Sequence, residues 1–132
     1  MSASTETAGG VEMMPLSRAM NAGLRRALAE DDRVLLMGED IGKLGGVFRI
    51  TEGLQAEFGE RRVLDTPLAE SGIVETAIGM AMVGFPPVCE IQFYGFVFPA
   101  FDQITAQLAK MTNRHEGALS MPVVIRIPYG GH

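Results

Sequence analysis

At 132 residues, with 47% hydrophobic and 20% charged side chains, the chain suits one domain with a real core and excludes a disordered segment or a disulfide scaffold. Its 11 basic residues against 16 acidic ones leave a net charge of −5, and the basic ones are scattered or paired locally with acids, as in "RRALAEDD", so no nucleic-acid footprint is present. The single cysteine, Cys89, excludes an intrachain disulfide and points to a cytoplasmic setting.

Residues 1–14, "MSASTETAGGVEMM", are small and polar, lack the basic start and apolar centre of a signal peptide, and read as a flexible tail before a domain over 15–132. From Ser17 the apolar positions Met20, Leu24, Ala27 and Leu28 recur at helical spacing, with Ser17 placed to cap the first turn. "RVLLMG" then reads as a buried strand. A glycine-rich loop, "EDIGKLGGVFRI", follows, then a short helix "EGLQAEF" capped by Thr51 and ended by Gly59, and a second strand, "RVLD". The helix after Glu70 carries Ile73, Val74, Ala77, Ile78, Met80, Ala81 and Met82, apolar on nearly every side, which requires burial against more than one layer. Gly79, Gly84 and two prolines interrupt this apolar stretch, so it reads as helix, turn and strand and not as a membrane span. "PVCEIQF" is the third strand, "FPAFDQITAQLAKMTNR" a long amphipathic helix and "PVVIRI" a fourth strand.

Alternation of this kind predicts an α/β fold with a parallel sheet flanked by helices and right-handed crossovers. Ligands in such sheets gather beyond the carboxyl ends of the strands. Here those ends are Gly38 to Asp40, Asp65 to Glu70, Glu90 to Phe96 and Pro128 to His132. The chain stops just after a strand with nothing to cover the last edge, so a truncated front part of a longer protein is expected.

Within that zone Glu70 admits two readings. An acid in the first turn of a helix interacts favourably with the helix dipole, which alone explains it. A carboxyl kept dry at a strand's end can also hold or share a proton with a ligand nitrogen. Phe93, Tyr94, Phe96, Phe98 and Phe101 are five of the nine aromatic residues and read first as core, with a platform for a flat heterocycle as the alternative. "GKLGG" lacks the ending of a phosphate loop, and no GxGxxG occurs. Cys89 reads as inert packing, and His115 and His132 have no partner at metal-ligand spacing. Asp65, Glu39, Asp40, Glu90 and Asp102 are acids near the same edge, salt-bridged or solvated, without the spacing of a magnesium cage.

The succession "LMGEDIGKLGGVFRITEGLQAEFGERRVLDTPLAESGIVETAIGMAMVG", "EIQFYGFVFPAFDQITAQLAK" and "PVVIRIPYGG" resembles the β subunit of the thiamine-diphosphate-dependent dehydrogenase component of 2-oxo acid dehydrogenase complexes, from about Leu16 to the last residue. It is similar to the pyruvate and branched-chain members and most of all to bacterial ones. The resemblance implies a pyrimidine-side thiamine-diphosphate-binding fold at an α/β subunit interface. It also implies that Glu70 hydrogen-bonds a ring nitrogen of the aminopyrimidine and so activates the cofactor, a form of general acid–base catalysis. By the same likeness Phe96 stacks on the pyrimidine and Gln92 borders it, Glu39 and Asp102 join a polar passage between two active sites, and carbonyls around Val123 offer a potassium site.

The family's remaining parts lie elsewhere. A GDG-type motif on the partner α subunit holds the diphosphate and magnesium, and this chain contains no GDG. A histidine loop beyond "PYGG" and a carboxyl-terminal domain are absent, and His132 lies too early to be that histidine. The implied assembly is an α₂β₂ heterotetramer that decarboxylates pyruvate or a branched-chain 2-oxo acid, with a slight lean to branched-chain, and passes the acyl group to a lipoyl-bearing acyltransferase; neither nucleic acid nor membrane is a partner. The isolated fragment is expected to be inactive and to expose apolar surface around Phe93 to Phe101. The rival readings are a transketolase-like enzyme with both cofactor halves in one chain and a non-catalytic assembly module.

Overall fold

The four apolar runs of the sequence become four parallel strands in the computed structural model, which describes residues 7–8 and 11–130. They are β3 (Leu35–Gly38), β4 (Val63–Asp65), β5 (Pro87–Glu90) and β6 (Val124–Arg126), ordered β4-β3-β5-β6. Near the amino terminus β1 (Thr7–Ala8) pairs antiparallel with β2 (Val11–Glu12). Parts of the expected tail are thus hairpin, and its remaining residues up to 10 lie outside the described ones. The predicted α/β architecture, a parallel sheet flanked by helices, is the one observed.

Every residue of β3 is buried, as expected of a central parallel strand covered on both faces. Side chains alternate across the sheet, so Leu36 and Met37 enter different clusters. On one face α1 (Leu16–Glu30) and α2 (Leu54–Phe58) bring Leu28 and Leu54 against Leu36, Ile41 and Val63. On the other, α3 (Glu70–Met82) lays Ile73 and Ala77 on Met37 and Cys89. The opposite flank of α3 presents Val74 and Ile78 to Ala100, Ile104, Leu108 and Met111. The near-uniform apolarity of α3 therefore has a structural cause: it is the middle of three layers. Each fully buried leucine or isoleucine contributes about 1.5–3 kcal/mol, so these clusters fix the orientation of α3 and hence of Glu70 at its start.

Three local expectations are corrected. Ser17 does not cap α1: Pro15 occupies the cap position, its carbonyl accepts from the backbone N–H of Arg18 and Ala19, and no side chain caps the helix. Thr51 does not cap α2 with its side chain, because its hydroxyl donates to the Ile41 carbonyl at 2.6 Å; α2 begins after Gly53, while Gly59 ends it as expected. The long helix expected over Phe98–Arg114 forms, but not as one regular α-helix: it opens with a 3₁₀ turn at Phe98–Ala100 and passes through a π-helical segment at Gln103–Leu108 into α4 (Ala109–Arg114), while a separate 3₁₀ turn at Tyr94–Phe96 precedes it. Pro99 removes a backbone donor there, and the Thr105 hydroxyl bonds the Phe101 carbonyl at 2.9 Å, drawing on the same ladder.

The aromatic cluster is not core. Phe93, Tyr94, Phe96, Phe98 and Phe101 are all exposed, and only Val97 and Ala100 of that stretch turn fully inward, Ala100 against Val74 and Ile78 of α3. Among the described residues no helix is long and apolar enough to cross a membrane.

At the amino end of the sheet the Arg62 guanidinium donates to the carbonyls of Val34 (2.7 Å), Leu28 (3.0 Å) and Asp31 (2.8 Å), tying the end of α1 to the start of β3. At the carboxyl end the glycine-rich loop folds back through Gly45, whose φ is +83° and where an added Cβ would stand 2.7 Å from the Glu52 Cα. Gly45→Ala is therefore expected to lose about 2–4 kcal/mol from combined backbone strain and overpacking, read as a lowered urea midpoint. Glu90 and Arg126, register partners on β5 and β6, form a buried ion pair. Arg126→Met should cost about 3–5 kcal/mol by stranding the Glu90 charge, and adding Glu90→Gln should recover most of it in thermal melts.

Candidate functional site

The pairing of Asp65 with Gly38 and of Gly38 with Glu90 levels the ends of three strands. The residues just past those ends form the rim where a ligand meets an open α/β sheet. Gly38 is what permits the approach: a Cβ there would lie 2.9 Å from the Glu90 carbonyl oxygen.

Glu39 follows β3 and is buried at 8% exposure, and its Oε1 has no hydrogen-bond partner. Burial pushes its pKa up first, the nearby Glu70 and Asp40 carboxylates push it further, and the Ala69 backbone N–H opposes them. Asp40 adopts a left-handed φ of 56°, a conformation an acid tolerates better than most residues. The Gln92 side-chain amide donates to Asp40 Oδ2 at 3.2 Å and to the Glu39 carbonyl at 3.4 Å, joining the end of β5 to the end of β3. Glu70, 9% exposed, opens α3, with its charge at the positive end of the helix dipole. The sequence-predicted Glu70, Gln92 and Glu39 thus meet on one rim. Phe96 stands in the loop after β5, half exposed and edge-on to Phe93 at 5.5 Å.

The remaining acids separate by role. Glu90 is taken by Arg126, and Asp65 accepts the Gly42 backbone N–H at 2.6 Å. Asp102 is exposed, accepts from Gln103, and has no hydrogen bond to Glu39. Cys89 is fully buried, and burial pushes its thiol up to about 12, which makes it inert at neutral pH. Among the described residues no cluster of three or more His, Cys, Asp or Glu side chains is arranged to hold a metal ion. A cavity of about 590 Å³ lies beside β6, lined by Leu16, Met20, Phe48, Phe93, Arg126 and Tyr129. Its one charged side chain is already engaged by Glu90, so it lacks the convergent polar groups of the Glu39–Glu70 rim.

Thr66 was not singled out by the sequence. It sits one residue past β4, its backbone N–H bonds the Gly38 carbonyl at 3.0 Å, and its Oγ1 is buried without a partner. The signal was present in "DTP": a residue before proline is held extended, which prolongs the strand by one position.

Because the folded-state pKa of Glu39 lies above its ordinary 4.5, the folded chain binds more protons than the unfolded one in the window between them, and stability falls as pH rises through that window. Glu39→Gln removes the buried charge. It is expected to raise the melting temperature at neutral pH, with the gain shrinking to nothing as pH falls below the ordinary carboxylate range. A gain independent of pH in differential scanning calorimetry would contradict this.

Comparison with known proteins gives this geometry its setting. The family model described as "Transketolase, pyrimidine binding domain" matches residues 12–132. The pyruvate dehydrogenase E1 component subunit beta of Leifsonia xyli subsp. xyli is 71% identical over 122 residues, covering 92% of this chain and 36% of the relative. The protein of the same name from Staphylococcus epidermidis is 54% identical over 118 residues, and that of Staphylococcus aureus 55% over the same length, each match covering 89% of this chain and 36% of the relative. The chain thus spans about a third of the length of the curated relatives it matches. The resemblance read from its motifs is borne out, and the chain belongs to the transketolase pyrimidine-binding domain family.

Proposed function

We propose that this chain forms the pyrimidine-side portion of the β subunit of a thiamine-diphosphate-dependent 2-oxo acid dehydrogenase, with pyruvate as the substrate. The relatives carry pyruvate in their names, which favours it over the branched-chain acids toward which the sequence leaned. Their designation as a beta subunit likewise favours an enzyme divided between chains over one with both cofactor halves in a single chain. An α subunit supplies the diphosphate and magnesium site and pairs as α₂β₂, a lipoyl-bearing acyltransferase receives the acyl group, and the assembly works in the cytoplasm. The isolated chain is inactive.

The observation that carries this reading is the dry carboxyl of Glu70 at the carboxyl rim of a parallel sheet, held at a helix start beside a second buried acid. The residues fit the heterocyclic end of the cofactor: a buried carboxyl for a ring nitrogen, a second buried acid beside it, and half-exposed aromatic rings. They do not fit its diphosphate end, for which the sequence offers no phosphate loop. When bound, thiamine diphosphate supplies a thiazolium carbon acid and an amine able to take up its proton.

In this chain Glu70 would hold a proton at the pyrimidine nitrogen, Phe96 would supply a ring face against the heterocycle, and Gln92, which keeps the Glu39–Asp40 turn in place, would border it. The next turn of the helix packs Ile73 on Met37 and Cys89, and Glu70 itself is only 9% exposed, so a hydrogen bond to its carboxyl counts for more than one in open solvent. Glu70→Gln in the complex with the α subunit should leave folding and assembly intact and slow hydrogen–deuterium exchange at the thiazolium carbon by ~10²–10⁴-fold, the usual range for a positioned acid or base. Unchanged exchange in that variant refutes the role.

A further inference from the structure

Two buried oxygens at adjacent strand ends lack partners: Oε1 of Glu39, past β3, and Oγ1 of Thr66, past β4. Orphaned buried polar atoms are rare in folded proteins, because each forfeits hydrogen bonds to water worth about 1–3 kcal/mol. Two of them at neighbouring positions of one ladder call for a common cause. The register that pairs Gly38 with Asp65 and bonds the Thr66 N–H to the Gly38 carbonyl makes Glu39 and Thr66 successive in that ladder.

We infer that Glu39 and Thr66 share one buried water molecule, and that Thr66 is a positioning residue which, through this bridge, fixes the Glu39 carboxyl against Glu70. Two polar partners meet the minimum a buried water requires. The proposal deepens the cofactor reading of Glu70 and rests on it for its catalytic consequence, but the bridge itself belongs to the chain without cofactor.

The groups that face Glu39 can be named. Glu70 and the Ala69 N–H approach from α3, Asp40 flanks it in the chain, and Gln92 reaches its carbonyl from beyond β5. Asp65 on β4 is engaged by the Gly42 N–H, and Glu90 on β5 by Arg126. Among the described residues, none of these charged neighbours of Glu39 is a cation. A bridging donor from Thr66 is then the main side-chain support for its ionised form, and losing it shifts the proton toward Glu39.

The test is NMR titration of carboxyl-labelled glutamate in the chain, comparing Thr66→Val with Thr66→Ser. In the valine variant the Glu39 midpoint should move to higher pH, and in the serine variant it should stay at the wild-type position. In the complex with the α subunit the valine variant should slow thiazolium exchange about fivefold, the equivalent of one ordinary hydrogen bond, and shift its pH profile the same way, with serine restoring both. A valine variant that melts cooperatively with an unmoved Glu39 midpoint overturns the inference. Should that variant fail to fold, a high-resolution crystal structure of the unsubstituted chain decides: density for a water within hydrogen-bond distance of both oxygens upholds the bridge, and its absence overturns it. If Glu70→Gln leaves exchange intact while Thr66→Val moves the Glu39 midpoint, the cofactor reading falls and the bridge stands.

Discussion

The constraint on which the molecule depends is the parallel register that sets Asp65, Gly38, Glu90 and Arg126 in one row across the sheet. Main-chain hydrogen bonds fix that row, so the residues after it form a level rim whatever their side chains. Glu39, Thr66 and Gln92 reach the same edge for this reason, and α3 delivers Glu70 to it because Ile73, Ala77 and Ile78 are locked between the sheet and the segment around Ala100. Site geometry here is a by-product of core packing, as expected when function is mounted on rigid elements.

The rim treats its buried acids in opposite ways. Glu90 is compensated by Arg126 and so becomes part of the architecture. Glu39 stands beside another carboxylate with one oxygen unclaimed, an arrangement that costs stability and that a purely structural site would avoid. Buried groups with conflicting protonation demands are a physical marker of sites that move protons. The left-handed turn at Asp40 adds a second local cost at the same place.

Much of this was legible in the sequence. Alternating apolar runs gave the parallel sheet, Gly59 gave the end of α2, and the all-round apolarity of α3 gave its place in the middle layer. Glu70 was found because a lone acid heads that helix, although residues alone left its role open between dipole and proton handle. Less was legible where one residue's tertiary partner outranks its local preference. Thr51 spends its hydroxyl on a distant carbonyl and not on a cap. The run from Phe93 to Phe101 follows the small inward residues Val97 and Ala100, so its rings face outward against the usual tendency of aromatic clusters. Thr66 carried a signal only through the proline behind it, and a partnerless hydroxyl is visible only in three dimensions.

The two ends of the sheet are read by different chemistry. At the rim, individual side chains decide what happens. At the opposite end Arg62 grips three carbonyl oxygens and reads chiefly the path of the backbone, its one side-chain partner being the exposed Asp32 carboxylate at 3.5 Å. Its hold on the turn from Asp31 to Val34 is therefore mainly a hold on backbone path, and Arg62 is not interchangeable with lysine, whose single ammonium cannot span three diverging acceptors with a planar fork. One guanidinium thus anchors a whole pole of the sheet, whereas the opposite rim spreads its work over several side chains.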